Sequence, residues 1–492
     1  GFYKKTADGI LVLDPKTMEY RPQKKTLFPS IELIRSMEDP RERIANLIRS
    51  KDRAGTFIRK TIMPLLAYAA NRIPEISDDI LNVDNSMKWG FNWSHGLFET
   101  WDAISVRKSV ERMREQGKRF PQWMDLMLAQ PDPRFYRVDK GESQYWDVFE
   151  LEYRSIPKPE GVLVLNEYKQ RNRVIKKNSG ASLIDIGDGV ACLEFHSKMN
   201  AIGGDTIQMV KSAIEIVEKD FEGLVIGNQG ENFSAGANLM LLLLEAQEEN
   251  WDELNGVIKA FQQMVMSLRY SAKPVVASPF GLALGGGCEV SIGSDAIHSA
   301  SEVYTGLVEI GVGLIPAGTG TKEIYIRNLS KCLPGADPFP YLRNAFETVA
   351  LAKVSRSALE AKRLGYYAES DTFSMNGDRV IQDAKNVVLQ LAKNYRQPQP
   401  RTDILLTGRA GYAYLQAGIY LMKEAGFISD YDQKLAEKIA WIMTGGDLTE
   451  PTRVSEQFML DMEREAFLSL LGERKTQERI QHMLKTGKPL RN

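Results

Sequence analysis

From Ala181 onward the chain alternates short β-rich runs with amphipathic helical stretches, and this rhythm constrains its fold more than any other feature. The runs at 183–186, 190–195, 223–227 and 274–278 are too short for helices and rich in Val, Ile and Leu. Between them, 206–219 places apolar residues at helical spacing. Such alternation predicts a layered α/β domain, and its limits are read as 181–365.

The flanks read differently. Residues 1–130 are expected to be mostly helical after a short β element at 10–13, because apolar residues recur at helical spacing through Ile31, Ile34 and Ile44 and again through Phe57, Ile58, Ile62, Leu65 and Leu66. The stretch 131–180 contains QPDPRF and RSIPKPEG and reads as a linker. A third region, 366–492, is helical in pattern at 380–391, 412–423, 434–443 and 454–471. A chain of 492 residues is too long for one core, so several domains are expected. Lys and Arg (63) nearly cancel Asp and Glu (64), which leaves no field to hold a nucleic-acid backbone. No apolar run approaches the roughly twenty residues of a membrane span. Cys192, Cys288 and Cys332 lack paired spacing, which suits a reducing cytoplasm and argues against a disulfide framework or a zinc site.

Three segments of the α/β region bear on chemistry. In NFSAGANL, 232–239, small residues let the backbone approach a ligand and present N–H groups; a plain turn after a strand is the alternative. In FGLALGGGCEV, 280–290, three glycines after the apolar KPVVAS predict a loop opening into a helix near Cys288, whose free N–H groups would suit an oxyanion. Glu289 then falls in the first helical turn, where it either complements the helix dipole or acts in catalysis. In GLVEIGVGLIPAGTG, 306–320, Glu309 stands alone among apolar residues, so it is either turned to solvent or buried against a large penalty. Together they suit hydration of an α,β-unsaturated thioester. That reaction needs N–H donors at the thioester oxygen and two acids to manage water and a proton.

SAGANL, ALGGGCE and VEIGVGLIP, in that order, resemble the crotonase superfamily, and two glutamates twenty residues apart resemble its enoyl-CoA hydratases. The resemblance implies a spiral of β-β-α turns. It implies Glu289 and Glu309 as catalytic acids binding the attacking water, with Glu309 exchanging a proton with Cα. The N–H groups of Ala237 and Gly286 would form the oxyanion hole. Lys198, Met199 and Ala235 would line the coenzyme A site, with HSKMNAI, 196–202, as the family's early loop. Asn238 stands where many relatives have Asp, which is expected to alter loop packing more than the reaction class. The segment 71–105 resembles the C-terminal helical domain of 3-hydroxyacyl-CoA dehydrogenases, so 1–130 is expected to be an all-α domain of that kind. No G-x-G-x-x-G follows a strand anywhere, so NAD is expected only with a missing dinucleotide-binding domain. No cofactor and no metal are expected in this chain, only an acyl-CoA substrate.

The whole is similar to the C-terminal portion of a fused 3-hydroxyacyl-CoA dehydrogenase/enoyl-CoA hydratase of bacterial fatty-acid β-oxidation. Because Gly1 falls inside the dehydrogenase-like region, a piece of a longer protein is expected. Isomerisation of a 3-enoyl-CoA, or acyl-CoA binding without turnover, stand as alternative functions. A homo-oligomer or a thiolase partner is left open by the same resemblance. His95, His196, His298 and His482 lack metal-ligand spacing and are read as packing or surface residues. Cys288 is read as a small buried filler, and Lys322 in GTGTKE lacks the order of a phosphate loop.

Overall fold

The computed structural model describes residues 1–6, 9–24, 26–37, 39–139, 141–157 and 160–492. The chain divides into two compact units, Gly1–Pro157 and Lys158–Asn492.

In the first unit, helices such as Arg53–Asn71, Ile80–Phe91 and Leu97–Ile104 bury Leu66, Ile80, Phe98 and Trp101 in a core of their own. It is not all-α. Tyr3–Thr6, Gly9–Leu13 and Tyr20–Pro22 form one antiparallel sheet, and Tyr136–Asp139, Glu142–Asp147 and Glu152–Ser155 form another. The second of these sheets occupies the expected linker, which is therefore corrected. Phe135 and Trp146 are buried in the helical core, and the Asp102 carboxylate accepts from the N–H groups of Phe135 and Tyr136 at 2.8 Å each. Those contacts fasten a Pro- and charge-rich stretch that has no apolar periodicity of its own.

The rest of the expected linker belongs to the second unit. Among its described residues, seven strands form one sheet: β1 (Val174–Lys177), β2 (Ala181–Asp185), β3 (Val190–Phe195), β4 (Gly223–Ile226), β5 (Val275–Ala277), β7 (Ala296–Ala300) and β9 (Thr372–Ser374). Their order is β9-β7-β5-β4-β3-β2-β1, parallel from β3 to β9 and antiparallel at β1 and β2. β6 (Gly281–Leu284) and β8 (Val303–Gly306) pair in parallel as a second, smaller sheet. Two isolated parallel bridges extend that layer, Ile202 with Ala237 and Ser234 with Ala283. Each turn of chain thus lays one rung in the large sheet and one in the small layer before a helix returns it, a repeating β-β-α spiral.

β3 is buried at all six positions because both sheet faces are covered, which is why it reads as an unbroken apolar run. Helices α1 (Gly204–Asp220) and α3 (Trp251–Arg269) contribute to the core on one side. Val380–Ala392 covers the other, packing Ile381, Ala384 and Val388 on Ile184, Val225 and Val276. The layered region therefore outruns the expected 181–365 at both ends, since β1 and β9 complete its sheet. The C-terminal helices are not a separate extension either. Leu435, Ile439, Met459, Leu470 and Ile480 share one core with β3 and α1. Among the described residues, no helix is long and apolar enough to cross a membrane.

Candidate active site

The three glycine-rich segments are neighbouring rungs of the small layer. Asn232 to Ala237 follows β4, and Ser234 bridges β6 through Ala283, so the first segment lies beside the second. β6 pairs with β8 along Leu284 and Gly306, which brings in the third. At the end of β6, Gly285 takes φ 54° and ψ −124°, a conformation closed to residues with a side chain. Its N–H donates to Gly306 O at 2.9 Å, and the chain then turns into α4 (Gly286–Gly293).

As the first residue of α4, Gly286 has an N–H with no intrahelical acceptor. A Cβ built on Gly236 would lie 3.5 Å from Gly286 N, and one on Gly286 would lie 3.7 Å from Ala237 N. Ala237 and Gly286 thus lie close together on the wall of a cavity of about 1210 Å³. Leu239, Leu242, Ile258, Phe261 and Met264 form part of its apolar wall.

Both glutamates reach this cavity. Glu289, 3% exposed, lies in the first turn of α4, and its Oε1 accepts from the N–H groups of Gly318 and Gly320 at 2.8 Å each. Gly318 leaves no room for a side chain: a Cβ there would stand 2.0 Å from Phe261 Cε1 and 2.6 Å from Glu289 Oε2. Burial raises the Glu289 carboxyl to about 7, against the pull of those two donors, which favour the charged form. Glu309 opens a single 3-10 turn, Glu309–Val312, and does not face solvent as on an edge strand. Its Oε2 is buried with no hydrogen-bond partner among the described residues. Burial first, and then the negative charge of Glu289, hold its carboxyl well above the usual range.

Ala235 also lines the cavity, whereas Lys198 and Met199 are exposed and stand outside its lining. They connect to it through the backbone, the Ala235 N–H donating to Met199 O at 3.1 Å. Asn238 caps α2 (Leu239–Gln247), its side chain accepting from Leu241 N–H at 3.3 Å. Cys288 is fully buried and burial pushes its thiol up. Lys322 is fully buried too, its ammonium paired with Glu323 and Glu456 at 2.8 Å each.

Sequence reasoning passed over Gly318 and Gly320, although GTGTKE drew notice as a failed phosphate loop. The N–H groups of that loop serve a carboxylate of the same chain. It also missed Glu463, a fully buried acid on α8 (Glu456–Leu471). Glu463 Oε1 accepts from Lys322 N–H at 2.6 Å, and burial together with the charge of Glu289 raises its carboxyl well above the usual range. Nothing in the periodicity of α8 marks it.

Residues 185–333 match the enoyl-CoA hydratase/isomerase family. This segment is an enoyl-CoA hydratase/isomerase domain. Along 492 residues the chain is 45% identical to a Bacillus subtilis (strain 168) protein named "Probable 3-hydroxyacyl-CoA dehydrogenase", covering 100% of this chain and 62% of the relative. It is 27% identical to a candidate fatty acid oxidation complex trifunctional enzyme of Rickettsia felis, over 88% of this chain and 53% of that one. A crotonyl-CoA hydratase of Syntrophomonas wolfei is 34% identical over 130 residues, 26% of this chain and 48% of its own length. The chain thus spans less than two thirds of the length of the first two of these relatives. The hydratase/isomerase domain holds both glutamates and both N–H donors, while Glu463 lies beyond its matched segment.

Proposed function

We propose that the second unit adds water across the double bond of a 2-enoyl-CoA to give a 3-hydroxyacyl-CoA, as a step of fatty-acid oxidation. The observation that carries this reading is the convergence of two differently held acids on one cavity beside two free N–H donors. The thioester oxygen, which gains negative charge as water adds, sits between the N–H groups of Ala237 and Gly286. Losing one such donor typically lowers a rate by about 10²- to 10³-fold. Ionised Glu289 takes a proton from the water that attacks Cβ, and protonated Glu309 gives its proton to Cα, which leaves Glu289 protonated and Glu309 ionised. The reverse reaction starts from that state with the roles of the two acids exchanged, and passage of the proton from Glu289 to Glu309 readies the site for another hydration.

Moving a double bond needs one group to shuttle a proton, so a second acid in the cavity favours hydration over isomerisation. The exposed Lys198–Met199 backbone, tied to Ala235, is the edge at which the coenzyme A moiety enters. Acyl-CoA is the small-molecule partner in this reading, and the setting is cytoplasmic.

Loss of the conjugated-enoyl absorbance of crotonyl-CoA tests the reaction. The wild-type chain is expected to hydrate it, and the Glu289→Gln, Glu309→Gln double variant to lose at least about 10²-fold, the usual contribution of acid-base catalysis. Full activity in the double variant would overturn the assignment. Double-bond migration in a 3-enoyl-CoA without hydration of crotonyl-CoA would assign isomerisation instead.

A further inference from the structure

The turn that carries Glu309 is short and closes on a few local bonds, the Gly313 N–H donating to Ile310 O at 3.0 Å and the Leu314 N–H to Glu309 O at 3.1 Å. It is one 3-10 turn closed by Gly313 at φ 79°, and the acid it presents has an unpartnered oxygen. Two carbonyls there are also met from far along the chain, by helix α9 (Arg474–Thr486). Thr476 Oγ1 donates to Gly313 O at 2.6 Å, across 163 residues of sequence. Arg479 Nη1 donates to Ile310 O at 3.3 Å, across 169. Helix and turn are in close backbone contact, for a Cβ on Gly313 would lie 2.9 Å from Thr476 Cα.

Both side chains are themselves held. The Thr476 hydroxyl hydrogen goes to Gly313, so Tyr431 OH, 2.6 Å away, is the donor to Thr476. Arg479 is 1% exposed, a costly position for a cation. Asp432 Oδ1 accepts from it at 2.8 Å, Asn492 Oδ1 accepts from its Nε at 2.9 Å, and the Tyr431 ring lies 5.1 Å from its guanidinium carbon. A linked set of side chains thus ends on the carbonyls of Ile310 and Gly313, and Thr476 and Arg479 both lie outside the 185–333 match.

We propose that Thr476 and Arg479 are positioning residues for Glu309, fixing its turn so that the acid stands over the reacting carbon. This rests on the role given to Glu309 above. Displacing a catalytic group by about 1 Å can lower a rate on the order of 10²-fold. The N–H donors and the coenzyme A edge lie on other segments, and the turn itself gives the cavity only part of its wall, so a loosened turn is expected to act on kcat more than on KM.

Thr476→Val keeps the shape and removes the hydroxyl. Its kcat for crotonyl-CoA hydration is expected to fall by about tenfold while KM stays within about twofold, and Thr476→Ser to recover most of the loss. Arg479→Lys keeps the charge, shortens the reach to Ile310 and is expected to lower kcat in the same way. In a Glu309→Gln background the Thr476→Val effect is expected to vanish, since both changes act through one acid. Unchanged kcat in Thr476→Val and Arg479→Lys, or an equal loss with and without Glu309, overturns the positioning role. Full activity in Glu309→Gln alone overturns instead the role of Glu309. Should Thr476→Val not fold, Tyr431→Phe removes only the donor behind Thr476 and is read by the same criteria.

Discussion

Glu289 and Glu309 share a cavity but are held in different ways. Glu289 stands in a helical turn with one oxygen fixed by two N–H groups, whereas Glu309 sits on a short turn with an oxygen that no described residue meets. Burial disfavours charge on both. The Gly318 and Gly320 donors partly offset that penalty for Glu289 alone, so it ionises first, and its charge then keeps the proton on Glu309. In the proposed reaction, two chemically identical side chains are thus sorted into a base and an acid by backbone donors rather than by their own nature.

The pH dependence of kcat/KM tests this sorting most severely. The rate is expected to rise through about pH 7 as Glu289 ionises, and to fall at higher pH as Glu309 loses its proton. In Glu289→Gln the residual activity should lose its alkaline limb at a lower pH than wild type, because Glu309 no longer faces a neighbouring charge; each unit of that shift is about a tenfold change in rate on the limb. An unmoved limb would mean that the two acids do not sense each other.

Stability sharpens the same contrast with a smaller effect. Glu289→Leu leaves two N–H groups without an acceptor and is expected to cost about 1–3 kcal/mol for each one left buried and unmet. Glu309→Leu removes an unpartnered oxygen and is expected to be neutral or stabilising, as denaturant unfolding would show. The sign with pH follows from linkage. Glu289 keeps its proton in the folded chain up to about 7, where the unfolded chain has lost it above its ordinary 4.5, so folding stability falls as pH rises through that window. The smallest effect concerns the cap of α2. Asn238→Ala is expected to lose about 1 kcal/mol and Asn238→Asp only a few tenths, since Asp accepts from Leu241 N–H equally well. A large loss of activity in Asn238→Asp would show that this side chain does more than cap.

Features that announce themselves locally could be read from the residues. The run 190–195 coincides with β3 because a strand covered on both faces must be apolar throughout. Gly285 marks the turn into α4 because few other residues tolerate its backbone, whereas Gly286 and Gly287 already belong to the helix. The sheet at Tyr136–Ser155 was hidden, since most of its residues are at least partly exposed and only Trp146 within its strands is buried. β1 and β9 escaped for a related reason, as edge strands of four and three residues. Thr476, Arg479 and Glu463 carry no spacing at all, because the backbone groups they meet on 310–322 lie 141 to 169 residues away. Only the folded chain brings them together.

The contact between Gly313 and Thr476 also sets an order of events. A polypeptide grows from its N-terminus, and early parts of it can fold while later ones are still being made. The strands of the spiral and its glycine loops are all made before residue 470, yet the span from Gly313 to Thr476 must be complete before that loop can close, and long-range closures are slow. The Glu309 turn therefore gains this restraint only once the chain has been made through Arg479, long after its own residues.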